Sequence, residues 1–187
     1  LAPHTCNITG LYRCEGGDCT ASGVCDKPGC SYNPYSVGNH GFYGFRKSVD
    51  SHRPFTVLTR FPMGLDGLVG SIECFYVQDR KVFPNPVTNS TTLPAVNVID
   101  DDYCKAAGAT AYNRLGATAG IGEAMDRGMV LCMSVWWDES GGNMGWLDQN
   151  GAGPCNKIEG SPAVIRQNQP DARVTFSNIR WGEIGST

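Results

Sequence analysis

Five of the nine cysteines lie between Cys6 and Cys30, a density typical of chains whose loops are held by cross-links. Two glycosylation sequons, Asn7-Ile8-Thr9 and Asn89-Ser90-Thr91, point to the same oxidising setting. The expectation is a secreted, extracellular protein with glycan acceptors at Asn7 and Asn89. Cys14-x4-Cys19 and Cys25-x4-Cys30 fall near the outer limit of zinc-ligand spacing. With sequons present and few lysines, a disulfide framework is the better reading, and neither metal nor cofactor is expected. An odd cysteine count leaves one thiol free, or its partner outside this chain.

The 187 residues fit one domain or part of a larger one. A net charge of −3 comes with no basic stripe, so nucleic acid is excluded as a partner. No run of about 18 apolar residues exists to span a bilayer, so no membrane partner is expected. The first residues, LAPHTC, read neither as a signal peptide nor as an initiator methionine. A start produced by processing, cleavage or truncation is expected.

Residues 1 to 44 are punctuated by Gly, Asn and Pro and show little periodicity. From Arg53 the runs PFTVLTRF, GLVGSIECFYVQ and KVF alternate or stay apolar, broken at Pro62-Met63-Gly64 and Asp79-Arg80, and predict strands of an antiparallel sheet. Asp100, Asp101 and Asp102 stand where a helix start favours negative charge, which predicts a short helix over Tyr103 to Ala107. A second helix is predicted from Thr118 to Arg127, stopped by Gly128. A strand over Met129 to Trp137, a helical turn over Ser161 to Gln167 and a closing strand in ARVTFSNIRWGEI complete the pattern. Many short strands with few helices predict an all-β, antiparallel β-sandwich of jelly-roll type with disulfide-rich loops.

The stretch from Gly128 to Asp148, GMVLCMSVWWDESGGNMGWLD, carries the chemistry. An indole plane packs on the axial C–H face of a pyranose and buries apolar area at about 25 cal/mol per Å², while carboxylates take the equatorial hydroxyls. Spacing alone allows Trp136, Trp137 and Trp146 to be core residues. Adjacent strand residues face opposite sides, however, so at most one of Trp136 and Trp137 is expected in the core.

The ordered set LAPHTC, CDKPGC followed by SYNPYSVGNHGFYG, FYVQDRKV, IDDDYC, GMVLCMSVWWD, NMGWLD and FSNIRWGEIGST resembles the C-terminal half of glycoside hydrolase family 7, the fungal secreted cellulases, in its endoglucanase I type. The resemblance runs from first residue to last. It implies a concanavalin-like jelly roll with a long cleft that hydrolyses β-1,4-glucan with retention. In that family the nucleophile and acid/base sit on an E-x-D-x-x-E strand just upstream of the L-x-P-H segment that opens this chain, and the motif does not occur here. Asp138 and Glu139 are the tempting acids, yet strand neighbours should point apart. No catalytic residue is therefore assigned within this chain. Residues 1–187 are expected to be the C-terminal part of one catalytic domain, without a linker or cellulose-binding module. The missing N-terminal half, a cellulose substrate and a monomeric state are the expected partners and assembly.

By the same resemblance, Cys6 pairs with Cys25, Cys14 with Cys19 and Cys30 with Cys104, while Cys155 reaches a cysteine in the absent half. Cys74 and Cys132 depart from the family pattern and are expected to face each other, as a disulfide or as packed thiols. His4 takes the histidine position beside the acid/base and the leaving-group sugar. Trp136 corresponds to the indole stacking a sugar on the glycone side, and Trp146 to the floor of the first leaving-group subsite. Asp138 matches an acid beside the stacking tryptophan, and Tyr32 an aromatic of the product sites. Trp137 stands where tunnel-forming relatives often carry a carboxylate, so packing or a rim contact is expected of it. His40 and His52 read as surface residues.

Only TASGV separates Cys19 from Cys25, where tunnel-forming relatives carry a long loop, and QNGAGPC replaces a second tunnel loop. Product-site acids and bases become Pro28, Ser31 and Ser36. These departures imply an open cleft and endo action. A cellobiohydrolase of the same family and a non-catalytic, lectin-like domain are the competing readings.

Overall fold

Strand β4, Ile72–Gln78, organises the first part of the chain because both of its edges are paired. β3 (Thr56–Arg60) runs antiparallel along one edge, with Thr59 opposite Cys74, and β5 (Lys81–Pro84) and the short β6 (Val98–Ile99) pair with β4 in turn. A two-residue pair, β1 (Tyr43–Gly44) with β2 (Val49–Asp50), stands apart from this sheet. Alternation buries Ile72, Cys74 and Gln78. The buried Gln78 amide receives the Asp50 N–H and donates to the Asp50, Arg53 and Pro54 carbonyls, which fastens the 50–54 loop to the sheet. Between β4 and β5 the chain reverses in two residues, Asp79 and Arg80, with φ of 52° and 62°. Positive φ at both positions gives a turn whose twist matches that of the strands.

The computed structural model describes residues 1–139, 144–149 and 151–186. These fall into two compact units, Leu1–Met129 and Val130–Thr187. In the first, Cys30, Tyr32, Val37, Ile72, Ile99, Tyr103, Cys104, Tyr112 and Ile121 form the core. Helix α1 (Asp101–Ala106) begins as its acids predict, with the Asp100 carboxylate accepting the Tyr103 N–H at 2.7 Å. A disulfide joins Cys104 of this helix to Cys30, and Asp101 receives the Thr118 N–H at 3.0 Å, tying α1 to α3 (Ala117–Arg127). The short α2 (Thr110–Arg114) lies between them. Gly122 of α3 lies so near residue 69 that an added Cβ would meet the Val69 nitrogen at 2.8 Å.

The opening residues run beside the Val24–Tyr32 segment through four backbone hydrogen bonds, with Asn7, Asp26, Cys30 and Tyr32 as donors. The Cys6–Cys25 and Cys14–Cys19 disulfides close this region, and a 3₁₀ turn occupies Gly16–Cys19. Cys74 and Cys132 form no bond: both are free thiols, Cys74 buried in the sheet and Cys132 exposed in the second unit. Cys155 is also a free thiol, half-buried, and burial raises its pKa, with the charges of Asp148 and Glu159 adding.

The second unit contains α4 (Gly145–Asp148) and α5 (Pro162–Asn168), the latter opening on a proline at its first position. The two strands expected here are not formed among the described residues. Met129 to Trp137 and residues 172–182 have no ladder partner, and Val130, Val135, Val174 and Phe176 are exposed. β-branched and aromatic residues favour a pleated, half-buried surface. That preference becomes a strand only where a neighbouring strand takes up the backbone N–H and C=O groups.

Candidate functional site

Residues 136–139 carry the densest functional chemistry of the second unit. Trp136 and Trp146 are exposed, at 69% and 54%, and meet edge to face, with ring centroids 6.1 Å apart and planes at 82°. The Trp146 indole N–H donates to Asp138 Oδ2 at 3.2 Å. Helix α4 sets Trp146 in place through its buried neighbour Met144, whose sulfur accepts the Asp138 N–H and whose own N–H donates to the Gly160 carbonyl. Edge-to-face packing of this kind is worth about 0.5–1.5 kcal/mol beyond area burial. It leaves flat indole surface open to a ligand.

Trp137 and Glu139 engage different groups. The Trp137 indole N–H donates to Glu139 Oε1 at 2.7 Å, the Arg166 guanidinium of α5 lies 5.0 Å from the Trp137 ring centre, and Arg166 pairs with Glu139. Asp138 and Glu139 thus hold separate indoles.

Asp148 closes α4. Burial raises its carboxyl above the usual range, with the charge of Glu159 adding, and its Oδ1 has no hydrogen-bond partner among the described residues.

In the first unit, His4 is exposed, and its Nδ1 meets the Asp26 carbonyl at 2.9 Å. A carbonyl only accepts, so Nδ1 is the donor in this contact. The ring lies on Gly29, whose φ is +74° and where a Cβ would come within 2.7 Å of His4 Cε1. Asp26 is itself 3% exposed, and its Oδ1 caps the Gly29 N–H.

Tyr32 is a correction. It is 1% exposed, its ring centre lies 5.2 Å from that of Tyr103, and its hydroxyl donates to the Pro86 and Val96 carbonyls. Burial pushes its pKa up to about 12. A tyrosine tied in this way is a core residue and offers no face to a sugar. His40 and His52 are exposed, packed on Tyr35 and Phe45. The residues that sequence reading missed are Met144 and Arg166. Met144 meets Asp138 at the start of α4 and Arg166 meets Trp137 and Glu139 from α5, contacts that no local pattern announces.

Exposed indoles around a carboxylate suit a pyranose ring. A family model described as Glycosyl hydrolase family 7 matches residues 1–187, and the chain belongs to that family of glycoside hydrolases. Endoglucanase 1 of Humicola insolens is 52% identical over 189 residues, covering 100% of this chain and 47% of that protein. The native structure of the Humicola insolens endocellulase EGI matches with a TM-score of 0.86 at 51% identity, over 91% of this chain and 43% of that one. A family 7 cellobiohydrolase from Daphnia pulex matches with a TM-score of 0.82 at 31% identity, over 91% and 45% of the two chains. The fold class is accordingly the antiparallel jelly-roll sandwich with short helices and disulfide-rich loops. The chain spans about half the length of the curated relatives it matches.

Proposed function

We propose that the protein carrying this chain is a secreted, monomeric, retaining endo-β-1,4-glucanase that cuts cellulose in an open cleft. The observation that carries this reading is the pair of exposed indoles, Trp136 and Trp146, set edge to face beside Asp138. In this reading Trp136 stacks a sugar on the glycone side, Trp146 floors the first leaving-group subsite, and Asp138 receives a sugar hydroxyl. In the first unit, His4, anchored on the Asp26 carbonyl, is read as a further substrate-binding residue.

Retention needs two carboxyls about 5–5.5 Å apart, one as nucleophile and one as acid then base. We place both on an E-x-D-x-x-E strand preceding Leu1, with this chain as the C-terminal part of the same domain. The exposed sequon residues Asn7 and Asn89 and three disulfides support secretion. The short segments TASGV and QNGAGPC favour endo cutting over a threading cellobiohydrolase. The higher identity to a protein named an endoglucanase points the same way.

Viscometry on soluble carboxymethyl-cellulose, run beside a reducing-end assay, tests the reading. A steep viscosity drop with few new ends supports endo action. Slow viscosity loss with steady disaccharide release supports the cellobiohydrolase, and binding without new ends supports a lectin-like domain.

A further inference from the structure

Within the first unit, the ring of His4 fills the space that a side chain at position 29 would take. A Cβ on Gly29 would lie 2.7 Å from His4 Cε1 and 3.0 Å from each ring nitrogen. Gly29 also holds φ at +74°, in the left-handed region. Backbone strain and ring crowding both require glycine here. The turn beneath the ring is pinned from its other side: the buried Asp26 carboxylate accepts the Gly29 N–H at 3.1 Å, and the Asp26 N–H donates to the Thr5 carbonyl at 2.8 Å. The carbonyl of the same Asp26 accepts from His4 Nδ1. All of these contacts are made inside Leu1–Met129, and further polypeptide packed on the chain can only deepen the burial of Asp26.

We propose that Gly29 is a positioning residue for glucan binding that acts through His4, a role that rests on the glucanase reading above. The imidazole is held by the Asp26 carbonyl and set down on a backbone that offers no side chain, so its pose follows the 26–29 turn. A methyl at position 29 forces the ring off that seat and strains the Nδ1 contact, because a hydrogen bond weakens steeply as its geometry departs from linear. The displaced ring then meets a sugar in the wrong place. Binding suffers, while the bond-breaking carboxyls, which that reading places ahead of Leu1, are left as they were.

The test is a double-mutant cycle on the full-length protein: native, Gly29→Ala, His4→Ala and the double variant, assayed for KM and kcat on a soluble β-1,4-glucan with thermal unfolding alongside. Gly29→Ala is expected to raise KM about fivefold with kcat within about twofold, and to add less than about twofold to KM once His4 is alanine. The left-handed φ lowers the unfolding midpoint in both backgrounds. An equal rise in KM in both backgrounds overturns the positioning role, as does an unchanged KM in Gly29→Ala. Should Gly29→Ala fail to fold, Asp26→Ala and Asp26→Asn take its place. The amide keeps an acceptor for the Gly29 N–H, so Asp26→Asn is expected to raise KM less than Asp26→Ala, and equal KM in the two overturns the role. Native enzyme that neither binds nor cuts the glucan overturns the glucanase reading and this inference with it. Native enzyme that cuts, beside a His4→Ala variant with native KM, overturns this inference alone.

Discussion

The Trp146 indole N–H points at Asp138 Oδ2 across 3.2 Å, so one exposed ring is oriented by an acid that sits two residues beyond the ring it packs against, Trp136. The contact couples the pose of an aromatic platform to a carboxylate able to take a sugar hydroxyl.

Removing the platform and removing its orientation are separable. Trp146→Ala is expected to weaken glucan binding about tenfold or more, as the loss of a stacked ring implies. Trp146→Phe keeps a ring but no donor and is expected to lose less. KM for a series of soluble glucan oligosaccharides checks both, and equal KM in all three proteins contradicts the platform.

The buried Tyr32 hydroxyl makes stability sensitive to alkali. Its pKa stands at about 12 in the folded chain, against about 10 when unfolded. Its contribution is complete below pH 10 and is lost as pH rises toward 12, because the unfolded state gives up the proton first. Denaturant titrations from pH 9 to 11.5 are expected to show a steeper decline in the native protein than in Tyr32→Phe. The variant is also expected to be about 1 kcal/mol less stable at pH 7, since the part-buried Pro86 and Val96 carbonyls lose the Tyr32 donor.

Gly122→Ala places a methyl against the Val69 backbone at 2.8 Å. Helix propensity favours alanine by about 1 kcal/mol, but crowding against backbone costs about 1–3 kcal/mol. Net destabilisation is expected, read as a lower urea midpoint. A raised midpoint contradicts the close approach of α3 to residue 69.

Arg80 holds a left-handed φ of 62° in the β4–β5 turn, which a glycine adopts without steric cost. Arg80→Gly is expected to stabilise the protein by about 0.5–1 kcal/mol, the relief of strain exceeding the added freedom of the unfolded chain. Thermal unfolding at neutral pH measures it.

Cys30 and Cys104 close a loop with a sequence separation of 74. In the chain-entropy account such a closure is worth about 4 kcal/mol. The double alanine variant is expected to lose stability of that order, seen as a large drop in denaturant midpoint relative to native protein.

The antiparallel strands, the helix starts at Asp100 and near Thr118 and the two-residue turn at Asp79-Arg80 were legible in the sequence, because each follows from local alternation, capping or turn chemistry. Tertiary structure alone decided that Tyr32 belongs to the core and that Cys74 and Cys132 remain thiols. It alone brought Arg166 to Trp137. Local pattern reports what a residue prefers within one turn or one pleat. Burial, thiol partnership and strand pairing depend on which distant groups arrive to take up a ring, a sulfur or a backbone N–H, and only the folded chain brings those groups together.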